Sequence, residues 1–208
     1  MNELYNVKLL PTKDKKLIYV NNPKVACSSI KFSFLGDNKL IHLDSNYVSL
    51  ADTQGAKFFS VVRSPYERVL SAYLNTVVVE TNIWMSTLEL FTKLGGVGGT
   101  GAFRKVEFEE FLTIINFISS REPHMVNPHY RMQFYNLRND VINYDFIGSL
   151  EDMSKVSMYL SSFGIILASY APHKTNAKER LTDFLNDNTN TLIEKTYALD
   201  FETFGYGK

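Results

Sequence analysis

Two stretches of this chain begin with a short apolar run and continue with apolar residues at helical spacing. Leu17 to Val20 is apolar and rich in β-forming residues, as a buried strand should be, and Phe58 to Val62 repeats the pattern. Polar turn residues follow each run, and helical periodicity then begins near Cys27 in one case and at Pro65 in the other, where it lasts to about Val79. The pattern predicts two strand-turn-helix units.

The rest of the chain alternates in the same way. Further candidate strands are Lys39–Leu43 and Tyr144–Ile147. Further predicted helices are Ile83–Leu94, Glu107–Ser119, Glu151–Phe163 and Thr189–Leu199. Alternating strands and helices imply a parallel sheet with right-handed crossovers, and ligands of such sheets lie at the carboxyl ends of the strands. We therefore predict an α/β fold and a single domain over residues 1–208.

The turn after the first strand has the chemistry of an anion site. After the polar residues 21–23, a helix that begins near Cys27 would point its free backbone N–H groups and positive dipole end at the turn. A helix end of this kind binds phosphate or sulfate. Lys24 adds a mobile cation, and Ser28 and Ser29 add hydroxyl donors. An ordinary turn with a serine cap fits the same pattern.

The turn after the second strand carries a helix-start signal and an arginine. Ser64–Glu67 has the S-x-x-E form of a capping box, with proline at the first helical position. Arg68 then reads as a surface cation. Arg63 ends the strand where the helix opens, and Ser71 lies two turns along the same helix face as the cap. Arg63 and Ser71 can therefore converge on one anion, the arginine as a bidentate fork.

These motifs resemble those of a known family. Pro23–Lys31 (PKVACSSIK) is similar to the 5′-phosphosulfate loop of sulfotransferases, and Val62–Tyr73 (VRSPYERVLSAY) resembles their 3′-phosphate motif. The carbohydrate sulfotransferase branch has stretches similar to Phe108–Phe111, Pro128–Gln133, Tyr144–Glu151 and Asp200–Tyr206. The matches follow the expected order along nearly the whole chain.

The resemblance implies a P-loop-like, three-layer α/β fold with a central, mostly parallel sheet flanked by helices. It implies transfer of a sulfuryl group from 3′-phosphoadenosine-5′-phosphosulfate (PAPS) to a carbohydrate hydroxyl. Lys24 would act on the leaving group, and Arg63 and Ser71 would hold the 3′-phosphate. The implied PAPS-binding residues are Lys24, Val25, Ala26, Cys27, Ser28, Ser29, Arg63 and Ser71.

An acceptor hydroxyl needs a base to take its proton, and histidine is the commonest one. His42 ends the candidate strand between the two nucleotide motifs, where several branches of the family place their base, so it is our first choice. His129, in the motif near the acceptor, is the alternative. A hydrogen-bonded structural histidine at a strand end explains His42 equally well. The segment 173–178 is a weaker candidate to close over the nucleotide.

Charge and composition limit the classes of partner that this chain can bind. Lys and Arg number 22 and Asp and Glu number 22, so no net field favours nucleic acid or an anionic membrane. A local cluster such as Lys24, Lys31 and Arg63 can still bind a nucleotide. We find no signal peptide, no apolar run of spanning length and no convincing metal-ligand cluster, and Cys27 is the only cysteine. These features favour a cytoplasmic, bacterial enzyme; the oligomeric state cannot be read.

Three other interpretations fit parts of the sequence. Gly96, Gly98 and Gly101 form G-x-G-x-x-G, but a helical stretch rather than a strand precedes them, so a loop bordering the acceptor fits better than a dinucleotide fingerprint. A P-loop kinase lacks support because no glycine lies between residues 17 and 35. A module that binds nucleotide or glycan without turnover remains an alternative.

Overall fold

The computed structural model describes residues 7–37, 39–40, 43–79, 81–97, 106–170 and 174–207. The strands of this part are β1 (Leu9–Pro11), β2 (Leu17–Val20), β3 (Lys57–Val62) and β4 (Phe146–Ser149). Its α-helices are α1 (Cys27–Leu35), α2 (Pro65–Thr76), α3 (Thr81–Lys93), α4 (Phe108–Ser119), α5 (Gln133–Leu137), α6 (Met153–Ser161), α7 (Ala177–Arg180), α8 (Asp187–Thr196) and α9 (Ala198–Phe204).

The four strands form one sheet in the order β1-β2-β3-β4. β1 pairs antiparallel with β2, whereas β2, β3 and β4 run parallel. Tyr19 lies opposite Phe59, and Val62 lies opposite Ser149. The turns that leave β2 and β3 therefore begin at one edge of the sheet. The predicted α/β fold, with a mostly parallel sheet flanked by helices, is confirmed.

The chain divides into two compact units, and the first contains the sheet. It comprises the described residues within Met1–Arg63 and Asn136–Pro172. Phe59 of β3 contacts Phe34 of α1 and Tyr159 of α6, with both ring centroids 5.9 Å away. Residues on the other face of the sheet, such as Val20, are equally buried. Burial of both faces explains why the strands are continuous apolar runs.

The second unit is helical and comprises the described residues within Ser64–Tyr135 and His173–Lys208. Its core is aromatic: Tyr73 of α2 contacts Phe108 and Phe111 of α4, with ring centroids 5.2 and 5.4 Å away. Asp200 of α9 is fully buried and accepts hydrogen bonds from two backbone N–H groups that open α5. None of the helices in the described ranges is long and apolar enough to cross a membrane.

Several predicted elements differ from the structure: α2 ends about three residues earlier than predicted, and α6 lacks two predicted residues at each end. Of the described residues of Lys39–Leu43, residues 39 and 40 lie in a turn and Leu43 belongs to no regular element, so the predicted strand is wrong there. β4 begins two residues later than predicted. The last predicted helix is two helices that meet at Tyr197. The single domain stays a prediction.

The first two glycines of the segment 95–101 end helix α3. Gly95 has a φ of 85°, and the N–H groups of Gly95 and Gly96 bond to Thr92 O and Phe91 O. These bonds end α3 in the way that glycine commonly ends helices. Gly98 and Gly101 lie outside the described residues.

Gly148 of β4 yields a stability prediction. An added Cβ would lie 2.5 Å from Val156 Cγ2 and 2.9 Å from the Phe146 ring, so α6 packs here against bare backbone. We expect Gly148→Ala to lower the free energy of unfolding by about 1–3 kcal/mol, the usual cost of overpacking. Chemical denaturation measures this, with Gly207→Ala as control because nothing lies within 4 Å of that site. Equal costs at the two positions would contradict the packing argument. Adding Val156→Ala to the Gly148→Ala protein should recover part of the lost stability, because it removes the methyl group that the new Cβ meets.

Candidate functional site

The turn between β2 and α1 has an unusual backbone. Lys24 has a φ of 70° and Ala26 a φ of 62°, both in the left-handed region that non-glycine residues rarely adopt. Each such residue costs about 1–3 kcal/mol, and such residues cluster where a ligand is held. Alternating backbone handedness also turns successive N–H groups inward into an anion-binding concavity.

Helix α1 adds its positive end to this turn. It begins at Cys27, as predicted, with Ala26 as the capping residue, no side-chain capping bond and no acidic residue in its first turn. The N–H groups of the first turn thus keep the partial positive charge of the helix end, with no carboxylate to offset it. Residues 24–29 therefore form a short cationic turn, called the first corner below.

The predicted residues of the first corner contribute differently. Val25 is fully buried in the core, so only its backbone can contact a ligand. The Ser29 hydroxyl donates a hydrogen bond to Tyr170 O, and its role as a donor to a ligand stays a prediction. Ser28 and Cys27 are half-buried in the first turn of α1. Neither serine acts as the cap, which the alternative interpretation required.

Arg63 reaches the first corner, and both residues of this contact belong to the first unit. Its Nη1 donates a long hydrogen bond of 3.5 Å to Lys24 O. The ends of β2 and β3 are tied together by Asn22, whose side-chain Nδ2 donates to Val61 O at 3.0 Å. Asn136 Nδ2 in turn donates to Asn22 Oδ1 at 3.2 Å. The sequence prediction that Lys24 and Arg63 belong to neighbouring corners of one sheet agrees with this geometry.

Lys31 adds a further cation to the first unit. Its side chain is 7% exposed on α1. Within the described ranges it makes no ion pair. Its charge therefore adds to the positive potential of α1 without a local carboxylate partner.

Ser71 lies in the second unit, buried on α2. Its Oγ is 2.9 Å from Thr175 Oγ1, with which it shares a hydrogen bond. Thr175 belongs to the segment 173–178, which the sequence marked only weakly. His173 of that segment lies outside the described residues. The convergence of Arg63 and Ser71 on one anion stays a prediction.

The predicted capping box of α2 is not formed as expected. α2 begins at Pro65 with Ser64 as its capping residue, as predicted, but the Ser64 side chain makes no capping hydrogen bond. Glu67 supplies negative charge to the first turn, which stabilises the helix dipole without that bond.

Arg68 is a buried structural residue, which corrects the expectation of a surface cation. It is 1% exposed and donates hydrogen bonds to Pro128 O at 2.9 Å and Arg131 O at 2.8 Å. Arg131 Nε donates to Val126 O at 3.0 Å. The two arginines thereby hold residues 126–131, called the arginine loop below.

His129 in the arginine loop has a defined tautomer. Asn127 Oδ1 accepts from the His129 backbone N–H at 3.1 Å, so this atom is the amide oxygen. The same oxygen lies 2.8 Å from His129 Nδ1, which must therefore carry a hydrogen. The neutral ring then holds its lone pair on Nε2, the form that a general base needs. His42, the first choice from sequence, lies outside the described residues.

Sequence reasoning missed Asn22, Asn127 and the burial of Arg68. Asn22 carried a signal, since an amide two residues after a fully apolar strand is either a turn residue or a buried link between strands. Arg68 carried none, because the residues that share its helix face are Ser71, Ala72 and Asn75, which do not mark a buried stripe. Asn127 precedes the histidine motif and had no distinguishing feature.

The model of a family described as the sulfotransferase family matches residues 8–207. Mouse carbohydrate sulfotransferase 11 is 24% identical over 234 residues, covering 95% of this chain and 66% of its own length. Human carbohydrate sulfotransferase 14 is 26% identical over 220 residues, covering 92% of this chain and 58% of its own length. No solved structure gives a significant match.

The chain thus spans two thirds or less of the length of these curated relatives. The relatives are animal proteins, and the bacterial source and cytoplasmic location expected from the sequence stay predictions.

The left-handed backbone of Ala26 gives a second stability prediction. Glycine removes a strain of about 1–3 kcal/mol but loses about 0.5–1 kcal/mol to its greater freedom when unfolded. We expect Ala26→Gly to raise the free energy of unfolding by about 1 kcal/mol, measured by chemical denaturation. Ala72→Gly, in the interior of α2, should lower it. A destabilised Ala26→Gly protein would contradict the strain at the first corner.

Proposed function

The chain belongs to the sulfotransferase family, and from this premise we propose that it transfers a sulfuryl group from PAPS to a hydroxyl of a carbohydrate. The observation that carries the proposal is the first corner: two left-handed residues, the uncapped positive end of α1 and the guanidinium of Arg63 lie together at one edge of the sheet. Such an arrangement suits the phosphosulfate end of a nucleotide.

The residues of the first corner would stabilise the leaving group. During transfer the S–O bond to the 5′-phosphate breaks, an S–O bond to the acceptor oxygen forms, and negative charge develops on the departing phosphate. The N–H groups at the start of α1 and the Lys24 ammonium suit that charge, because fixed donors need no reorganisation during the reaction. Ser29 would contribute its N–H, and its hydroxyl, which donates to Tyr170 O, stays a predicted donor.

Arg63 and Ser71 would hold the 3′-phosphate. An arginine fork contacts two phosphate oxygens at once, and a serine hydroxyl can donate to a third.

We propose His129 as the base that takes the acceptor proton. Asn127 Oδ1 lies 2.8 Å from its Nδ1 and holds a hydrogen there, so the lone pair of the neutral ring is on Nε2. The case for His42 depended on a strand at Lys39–Leu43, and the described residues of that segment are not strand. The acceptor is proposed as a carbohydrate because the relatives are named carbohydrate sulfotransferases.

Arg63 provides the test of donor binding. We expect Arg63→Ala to weaken PAPS binding by about 10- to 100-fold, because a charge-assisted contact contributes about 1.5–3 kcal/mol. Isothermal titration calorimetry with PAPS measures this. Arg121→Ala, which removes an exposed arginine from the second unit, is the matched control and should bind normally. If wild-type protein gives no heat with PAPS or with its desulfated product, the proposed function fails.

His129 provides the test of catalysis. We expect His129→Gln to lower kcat by about 10²- to 10⁴-fold, the usual contribution of a general base, with PAPS affinity unchanged. Asn127→Ala should lower kcat less and displace the pH–rate profile, because it removes the acceptor that sets the histidine tautomer. The assay is transfer of labelled sulfate to glycan acceptors. His42→Ala is made in parallel, and loss of turnover there, with His129→Gln active, would reassign the base.

A further inference from the structure

Asp200 of α9 is a buried carboxylate that the proposed reaction leaves unassigned. Its side chain is fully buried. Oδ2 accepts the Gln133 N–H at 2.8 Å, and Oδ1 accepts the Phe134 N–H at 2.9 Å. These two N–H groups open α5 and have no partner within the helix, because the first N–H groups of any helix lack one. Each carboxylate oxygen therefore holds a different backbone group, directly after the arginine loop.

The charge of this carboxylate is costly to keep inside the second unit. Burial raises the pKa of Asp200 to about 6, whereas the charge of Arg68 and the N–H groups of Phe134 and Gln133 act to lower it. Asp200 is therefore ionised at neutral pH. An apolar side chain of similar volume often stabilises a core as well as a buried charge does. A need for two acceptor oxygens explains a carboxylate at this position.

The C-terminal end of the arginine loop is held from one short stretch of chain. Tyr197, where α8 meets α9, donates a hydrogen bond of 2.7 Å to Tyr130 O. The Asp200 N–H donates to Tyr197 O at 2.9 Å, so these two residues share one turn. Residues 197–200 thereby bind the loop at residue 130 and the start of α5 just beyond it.

Arg68 holds the same loop from the side of α2. Its guanidinium donates to Pro128 O and Arg131 O, so the peptide groups on both sides of His129 are anchored. The ring of His129 adds only its contact of 2.8 Å with Asn127 Oδ1. The position of the ring therefore depends on the loop, and a displacement of about 1 Å at a reacting group can cost about 10²-fold in rate.

We propose that Asp200 is a positioning residue for sulfuryl transfer, and that its carboxylate fixes the end of the arginine loop so that His129 keeps its hydrogen bond to Asn127. This role rests on the proposed function, in which His129 is the base. Asp200 acts through the Gln133 and Phe134 N–H groups and does not touch the reacting atoms. Loss of the carboxylate should free the loop end and let water replace Asn127 at Nδ1. Both ring tautomers would then be populated, since the partner of one ring nitrogen decides which nitrogen carries the hydrogen.

The test reads the tautomer of His129 by ¹⁵N NMR, in protein labelled at its histidine rings and without PAPS or acceptor. Spectra are recorded above the pKa of the imidazole, and His129→Gln assigns the resonances. We expect the wild-type ring to carry its hydrogen on Nδ1. Asp200→Asn should give a mixture of both tautomers, because the amide has one acceptor oxygen in place of two.

The same variant separates catalysis from donor binding. We expect Asp200→Asn to lower kcat by about 10- to 100-fold, with the PAPS dissociation constant unchanged. Leu112→Ala is the matched control: Leu112 is fully buried on α4 in the same unit, and its truncation lowers stability without removing a hydrogen bond. That variant should keep the wild-type tautomer and kcat. Chemical denaturation measures the stability that each variant loses.

Gln133→Pro provides a second variant that keeps the Asp200 charge. It removes one of the two backbone donors at the first position of α5, where helices accept proline, and it should also mix the tautomers. It decides the question if Asp200→Asn does not fold. A wild-type ring without its hydrogen on Nδ1, or equal mixing in Leu112→Ala, would overturn the proposal. So would an unmixed tautomer or an unchanged kcat in Asp200→Asn, or an unmixed tautomer in Gln133→Pro.

PAPS calorimetry on the wild-type protein separates this inference from the proposed function. No heat with PAPS, together with mixed tautomers in Asp200→Asn, refutes the proposed function while the link between Asp200 and His129 stands. PAPS binding and turnover, together with an unmixed tautomer in Asp200→Asn, refute the role of Asp200 and leave the proposed function standing.

Discussion

The buried carboxamide of Asn22 is the constraint on which the first corner depends. Parallel strands have no hairpin to fix the relative position of their ends, so β2 and β3 need a tie at the edge where both turns begin. Asn22 provides it by donating to Val61 O, and Asn136 completes the network by donating to Asn22 Oδ1. A buried carbonyl without a donor costs about 1–3 kcal/mol, so the tie is strongly favoured. Arg63 follows Val61 by two residues and is thereby held within reach of the Lys24 carbonyl.

Local charge, rather than net charge, determines what the first corner can bind. The chain is neutral overall, with 22 basic and 22 acidic residues, yet no acidic residue lies in the first turn of α1. The positive helix end, Lys24 and Arg63 therefore act together on a small volume. The left-handed backbone of Lys24 and Ala26 also indicates a ligand site, because backbone strain is tolerated where it directs N–H groups at a ligand. An anion would complete this arrangement.

The elements that position the first corner were predictable from sequence, since continuous apolar runs followed by polar turns gave β2, β3 and the starts of α1 and α2. Periodicity could not predict the backbone conformation of single residues. Nothing in the letters at Lys24 or Ala26 marks a left-handed conformation, which glycine usually occupies. The described residues of the segment Lys39–Leu43 do not form the expected strand, because their backbone bonds locally: the Leu40 N–H donates to Asp37 O and the Leu43 N–H donates to Leu40 O. Arg68 was misassigned because burial of a charge depends on distant carbonyls, which no local pattern contains.

Arg68 and Arg131 both bond to the arginine loop, but their guanidinium groups differ in how many of their donors are used. Arg68 is buried, its donors are bonded to two loop carbonyls, and its field acts on Asp200, whose pKa burial nevertheless raises to about 6. Arg131 has a single guanidinium bond in the described part of the chain, lines a cavity and has no carboxylate to offset Arg68. Because the first arginine fixes the loop, the second can keep its free donors at a defined place.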